Sequence, residues 1–229
     1  KETESHVKLF LGILKKRGHE TLIIDYSFLR FEKDISFFIN DFKPDIIGIS
    51  IYTLNANEAE KLIDKINEMV PHIPILVGGP HVTLYPDLLK SNHKIDYIFT
   101  GEAELTLLGV VENAKKEKIP QIISAKELVD LNDIPLPDYK AFYKWETIRG
   151  YPIMTSRGCP YGCSFCAGVK LSQRRWRLRD IDDCIKELEI AKKTISPNII
   201  TFVFDDCPTV RKDRFNHFLR LFLDKIKTE

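Results

Sequence analysis

The sequence predicts an α/β fold: a doubly wound parallel sheet followed by the opening units of a second β-α domain. Three observations carry this. Short apolar runs alternate with segments of helical period along the first 117 residues. The run Asp45-Ile46-Ile47-Gly48-Ile49-Ser50-Ile51 is apolar on both faces, as a strand between two helical layers must be. The rhythm then breaks over 118–150, where Ile134-Pro135-Leu136-Pro137-Asp138 excludes helix, and resumes at Tyr151. Composition agrees. With 44% hydrophobic and 29% charged residues, the 229-residue chain has material for a core, which excludes global disorder. No run approaches ~18 consecutive apolar residues, so no membrane span is expected. Lys+Arg 34 against Asp+Glu 33 leaves a net charge of +1, and no nucleic-acid partner is expected.

Each element has its own signal. Val7, Phe10, Leu11 and Leu14 share a helical face, closed by Lys15-Lys16-Arg17-Gly18. Thr21–Asp25 reads as a short strand. Ile35, Phe38, Ile39 and Phe42 stripe a helix that ends at Lys43-Pro44, and the strand 45–51 follows. Ala59, Leu62, Ile63, Ile66 and Met69 mark the next helix, and Ile73–Val77 a strand running into Gly78-Gly79-Pro80-His81. Tyr85–Ser91 reads as a short helix, Asp96–Thr100 as a strand ending at Gly101-Glu102, and Glu104–Lys116 as a helix with Leu105, Leu108 and Val111 inward. In open parallel sheets ligands sit at the carboxyl ends of the strands, which singles out the loops after Ile49, Val77 and Phe99. These signals give a first domain over 1–118, a linker over 119–148 and a second domain over 149–229. The second holds a strand at Tyr151–Ser156, a helix from Ile181 to about Thr194, a strand at Ile199–Phe204 and a helix striped by Phe215, Phe218, Leu219, Phe222 and Leu223. Two β-α units cannot close a barrel, so this domain is expected to be an open fragment whose last apolar stripe lacks partners.

Chemistry concentrates in Cys159-Pro160-Tyr161-Gly162-Cys163-Ser164-Phe165-Cys166. Five cysteines, three of them within eight residues, do not form a disulfide framework; they indicate a metal or redox site in a reducing compartment, hence the cytoplasm. An iron–sulfur cluster of the 4Fe–4S type takes four Cys. Three local thiols leave one iron open to another ligand. A structural zinc site completed by Cys207 or His217 is the alternative, but zinc sites favour paired elements and no second pair exists. Cys184 falls in phase with Ile181, Ile185 and Leu188, as a core residue does.

The spacing C-x3-C-x2-C, with Phe165 before the last Cys, resembles the cluster motif of radical S-adenosylmethionine enzymes. The resemblance implies a 4Fe–4S cluster held by Cys159, Cys163 and Cys166, whose open iron is chelated by S-adenosylmethionine, in a loop after the first strand of a partial (β/α) barrel. It implies further that Asp205 and Asp206, at the end of the next strand, accept from the ammonium of S-adenosylmethionine. The usual Gly-Gly-Glu is absent there. In the first domain, Ser50-x-Tyr52 and Gly78-Gly79 resemble the Ser and Gly-Gly elements of cobalamin-binding domains, with His81, Gly101 and Glu102 on the same edge. Together these segments resemble the class of radical S-adenosylmethionine proteins with a Rossmann-like cobalamin-binding domain. His6 lies in Glu4-Ser5-His6-Val7-Lys8-Leu9, which departs from the Asp-x-His-x-x-Gly of domains that supply a lower ligand. The strand expected before the first helix is absent.

The activity this implies is methyl transfer to an unactivated carbon through a 5′-deoxyadenosyl radical, with methylcobalamin as carrier and a reducing partner such as flavodoxin or ferredoxin. A radical cyclase or oxidative rearrangement enzyme would use the same parts, and a non-catalytic corrinoid- or metal-binding module would use some of them. The substrate, small molecule or peptide, is not legible, and no side chain is singled out as catalytic.

Overall fold

The computed structural model describes residues 10, 12–25, 33–136, 139–195, 197, 199–203 and 211–226. The chain divides into two compact units, residues 26–129 and a unit made of 1–25 with 130–229.

The unit 26–129 is built on four parallel strands in the order β1-β2-β3-β4: β1 (Ile47–Ser50), β2 (Ile75–Gly78), β3 (Tyr97–Thr100) and β4 (Gln121–Ser124). The register runs Ile47↔Ile75 to Ser50↔Gly78 and Tyr97↔Gln121 to Thr100↔Ser124. The central strands are buried along Ile75, Leu76 and Val77 and along Tyr97, Ile98 and Phe99, while β4 is an exposed edge. Helix α1 (Ile35–Phe42) begins where the Asp34 carboxylate accepts from the Ser36 N–H at 2.9 Å, and it buries Ile35, Phe38 and Ile39. Helix α2 (Ala56–Met69) buries Ala59, Ile63 and Ile66, the spacing its stripe foretold.

At the amino ends of the strands a fully buried carboxylate ties the sheet together. Asp96 accepts from the Ile75 N–H at 2.7 Å, the Glu117 N–H at 2.6 Å and Lys116 Nζ at 2.8 Å. Short helices α3 (Pro80–Leu84) and α4 (Leu107–Val111) follow β2 and β3. The helix read over Glu104–Lys116 is shorter than its pattern: a 3-10 turn covers Ala103–Leu105, α4 stops at Val111, and Leu105 faces solvent. Gly109 in its middle and Asn113, which donates back to the Gly109 carbonyl, both weaken a helix there.

Strand β4 lies within the stretch read from its prolines as linker. The prolines that break helix begin only at Pro120 and Pro135, and between them β3 offers a free edge to pair with. The segment Thr21–Asp25 does not enter the sheet. Ile23 instead makes an isolated parallel bridge to Phe142, with Ile23 N–H donating to the Ala141 carbonyl at 2.7 Å and Tyr143 N–H to the Ile23 carbonyl at 2.9 Å.

In the second unit, β5 (Gly150–Met154) pairs in parallel with β8 (Ile199–Val203), from Gly150↔Ile199 to Met154↔Val203. Helix α6 (Ile181–Ile195) is their crossover, and α7 (Lys212–Lys225) packs on it. The core gathers Tyr151, Ile153, Cys184, Ile185, Leu188, Ala191, Phe218 and Ile226, each worth ~1.5–3 kcal/mol where a large apolar side chain is fully buried. The last stripe therefore does find a partner: Phe218 is buried against α6 and Phe222 packs on the same cluster, while Leu223 stays exposed. Among the described residues no helix is long and apolar enough to cross a membrane.

Candidate cofactor sites

The first site is the carboxyl edge of the four-stranded sheet. Its loops are stitched to one another by the backbone. Ile51 N–H donates to the Gly78 carbonyl at 2.8 Å, and His81 N–H to the Ile51 carbonyl at 3.1 Å. Gly79 starts α3 with φ 105°, and a Cβ there would stand 2.7 Å from Ile51 O and 3.1 Å from Ser50 Oγ. Only glycine fits, and the reason is internal: the strand-end loops close onto each other at this point. Gly78 is different. A Cβ there would meet Phe99 Cβ at 3.6 Å, an ordinary contact. Its bareness leaves the edge flat without being required by the packing.

Hydroxyl groups that sequence reasoning passed over complete the edge. Thr83 Oγ1 accepts from the Gly101 N–H at 3.0 Å, Thr100 Oγ1 donates to Ser124 Oγ at 2.9 Å, and Thr53 Oγ1 lies 3.2 Å from His81 Nδ1. His81 also pairs with the Tyr85 ring at 5.3 Å. Tyr52 opens the loop after β1, its N–H donating to Asn55 Oδ1 at 2.7 Å. The Glu102 carboxylate accepts from the Val129 N–H at 3.3 Å. Ser50, Gly78, Gly79, His81 and Gly101 thus share one hydrogen-bonded edge. Part of the signal was available: Thr100 and Ser124 end their strands and Thr53 follows β1 closely, whereas Thr83 lies within α3.

The second site is the cysteine loop. It leaves β6 (Ser156–Arg157), runs through Cys159, Cys163 and Cys166 into helix α5 (Gly168–Ser172), and returns through β7 (Arg177–Leu178), which pairs antiparallel with β6. Gly158 holds the base, with φ 90° and room for no Cβ, since one would lie 2.0 Å from Arg175 O. All three thiols are free, and Cys163 and Cys166 are exposed, as is Phe165 at 90%. Among the described residues no three His, Cys, Asp or Glu side chains stand together as a metal-binding group. The loop is thus framed at its base while its thiols remain ungathered. Asp205, Asp206, Cys207 and His6 lie outside the described residues.

A buried polar frame borders the β6–β7 ribbon, where the Arg179 N–H donates to the Thr155 carbonyl at 3.0 Å. Arg179 Nη2 pairs with Glu187 Oε2 at 2.6 Å, and its Nη1 donates to the Met154 carbonyl at 2.8 Å. Tyr151 Oη donates to Glu187 Oε1 at 2.7 Å, and Arg214 Nη2 donates to the Thr155 carbonyl at 2.9 Å. Burial opposes the Arg179 charge most strongly of any single cause, but Glu187, with Cys184 and Tyr151 beside it, raises the guanidinium pKa overall. Burial also pushes the Cys184 thiol up to about 11, which keeps it protonated and inert, as its core position implied. Glu187 was legible as an anomaly: it shares the buried stripe of Cys184, Leu188 and Ala191, where a carboxylate demands a partner.

Residues 4–111 match the B12 binding domain family. This chain carries a B12-binding domain. Together with the residues that follow, it shares the fold of solved radical S-adenosylmethionine enzymes. An uncharacterized methyltransferase of Pyrococcus horikoshii is 32% identical over 230 residues, covering 90% of this chain and 49% of the relative. The anaerobic magnesium-protoporphyrin IX monomethyl ester cyclase of Rubrivivax gelatinosus is 27% identical, covering 93% and 43%. The chain therefore spans about half the length of these relatives. Among solved structures, the radical S-adenosylmethionine methyltransferase TsrM of Kitasatospora setae superposes with a TM-score of 0.65 at 16% identity, covering 96% of this chain and 47% of that one. The cobalamin-dependent radical enzyme OxsB, bound to aqua-cobalamin and S-adenosylmethionine, superposes with a TM-score of 0.64 at 21% identity, covering 85% and 31%. At these identities the superpositions establish the fold.

Proposed function

We propose that this chain is the cofactor-holding part of a cobalamin-dependent radical S-adenosylmethionine enzyme that transfers a methyl group to an unactivated carbon. One observation carries the reading: a three-thiol loop follows the parallel strand β5 in a chain that also carries a B12-binding domain. The donor set fits a cluster. Three free thiols on one framed loop, with Cys163 and Cys166 exposed, are the soft ligands that iron–sulfur clusters take. Gathering on loading is ordinary for ligands that must first deprotonate. The strand-end edge fits a corrinoid, since Gly78 presents bare backbone and the Ser50 hydroxyl stands at the seam beside it.

When bound, these groups supply the electron that cleaves the sulfonium of S-adenosylmethionine and the carrier for its methyl group. The chain's own residues do the holding. Cys159, Cys163 and Cys166 would ligate a cluster whose remaining iron is free for S-adenosylmethionine, Phe165 would contribute to the same cofactor site, and Asp205 and Asp206 would accept from the ammonium of S-adenosylmethionine. Tyr52, Gly78, Gly79, His81, Gly101 and Glu102 would border a bound corrinoid, and Ser50 would hydrogen-bond its tail. A flavodoxin- or ferredoxin-type donor in a reducing cytoplasm completes the reading. Ring closure is the second reading, favoured by the similarity to the cyclase across 93% of the chain.

The test is anaerobic reconstitution with iron and sulfide. Four irons per chain are expected, with 5′-deoxyadenosine released from S-adenosylmethionine once the cluster is reduced in the full-length protein. Cys159→Ala, Cys163→Ala and Cys166→Ala each abolish loading, and Cys184→Ala does not. Stoichiometric zinc without iron–sulfur absorption would overturn the assignment.

A further inference from the structure

We infer that Arg174 is the positive charge set against the cysteine loop, and that it favours the reduced state of a cluster held there. This rests on the reading of that loop as a cluster site. Three contacts bring the turn at 172–175 onto the loop. Gly158 packs so closely on Arg175 that a Cβ would overlap its carbonyl oxygen at 2.0 Å. Ser172 Oγ, which donates to the Gly168 carbonyl at 2.7 Å, lies 3.4 Å from the Cys159 carbonyl oxygen. The Arg174 guanidinium lies over Gly162, where a Cβ would stand 3.1 Å from Cζ and Nη2 and 3.3 Å from Nε. Gly162 directly precedes Cys163, so the cation sits on the stretch that joins two of the three thiols.

The backbone shows that this placement is imposed. Gln173 and Arg174 both adopt the left-handed conformation, with φ of 53° and 56°. A non-glycine residue rarely takes that conformation, and two in succession are rarer, because Cβ crowds the following carbonyl. Neither residue is Gly or Asn, the types that tolerate it. Such strain persists only where surrounding contacts hold it, and here it turns Arg174 back over the loop.

The electrostatic consequence follows from charge counting. Three thiolates and a dicationic cluster core sum to one negative charge, and one added electron makes it two. A guanidinium beside the loop stabilises the more negative state more strongly. Arg174 is exposed, so salt screens the effect. Arg174 is therefore a positioning and charge-balancing residue, acting without ligating iron.

The experiment reads the midpoint potential of the reconstituted full chain by EPR under a titrated reductant, at low and high salt. Arg174→Gln is expected to shift the midpoint to more negative values, seen as a several-fold drop in reduced fraction at fixed poise in low salt, and the shift should shrink in high salt. Arg174→Lys keeps the charge and should stay near wild type. An unchanged midpoint for Arg174→Gln at wild-type iron content would overturn the inference while leaving the cluster reading intact. Equal shifts for Gln and Lys would also overturn it, because the contact would then act through shape. Should Arg174→Gln fail to load, Arg174→Lys decides: normal loading and midpoint support a charge role, and loss of loading rejects it. A wild-type chain that takes up no iron fails the reading and the inference together.

Discussion

The two candidate sites are built in opposite ways. At the carboxyl edge of the sheet the backbone does the work: loops after three strands are joined by Ile51–Gly78, His81–Ile51 and Gly101–Thr83 hydrogen bonds, and Gly79 closes the seam. At the cysteine loop the base is fixed by the β6–β7 ribbon and Gly158, while Cys163 and Cys166 are exposed and the three thiols do not stand together as a metal-binding group. The difference follows from the ligand each would take. A large corrinoid needs a surface of the right shape beforehand, and backbone amides provide one without strain. A cluster binds through thiolates that repel one another and are brought together by the metal itself. A site of backbone is set by folding, and a site of thiolates by loading.

The largest test of this contrast is the buried frame that borders the β6–β7 ribbon. Glu187→Ala removes the carboxylate that pairs with Arg179 and accepts from Tyr151, leaving an uncompensated cation with both side chains over nine-tenths buried. A loss of ~3–5 kcal/mol is expected, read as a lower urea midpoint of the whole chain. Iron loading should fall with it. If loading survives a stability loss of that size, the frame is not what positions the loop.

Gly79 and Gly78 give a smaller and sharper test of the sheet edge. At Gly79, φ 105° and a contact of 2.7 Å with Ile51 O make Gly79→Ala costly by ~1–3 kcal/mol even without cofactor. At Gly78, where the nearest neighbour is 3.6 Å away, Gly78→Ala should stay within ~0.5 kcal/mol of wild type. Any loss of cobalamin affinity in Gly78→Ala then reports the edge itself. Equal destabilisation by the two substitutions, seen in thermal melts of the apo protein, would show that both glycines serve packing.

Those glycines also show where sequence reading ends. The strands and helices were legible because period and burial agree: Ile63 and Ile66 on α2, or Ile185 and Leu188 on α6, lie inward as their spacing requires. The three cysteines were legible as a set because no packing need places thiols at that spacing. What Gly79 does was not legible. Gly-Gly announces bare backbone, but only the structure shows that one of the pair faces Ile51 and the other Phe99. Strand β4 was hidden by the prolines on either side, and the fate of 21–25 by the fact that pairing partners lie far away in sequence. The left-handed turn at Gln173–Arg174 carries no local signal, since neither residue favours it.

The smallest effect separates surface charge from backbone in the sheet unit. Asp34 caps α1 through the Ser36 N–H and is hydrogen-bonded to Lys65, which with the cap holds its carboxyl well down, from 3.8 to about 2. A folded-state pKa below the unfolded one means stability that is present above about 4 and lost as pH falls toward 2. Asp34→Asn keeps a capping oxygen for Ser36 and removes the charge opposite Lys65. At neutral pH and low salt the variant should melt slightly below wild type, and the gap should close at pH near 2, where wild-type Asp34 is also half protonated or more. Both side chains are about half exposed, so high salt should close the gap at neutral pH as well. Melts of both proteins at the two pH values and two salt concentrations check this. A gap that persists in acid and salt would place the contribution of Asp34 in the geometry of its cap and not in its charge.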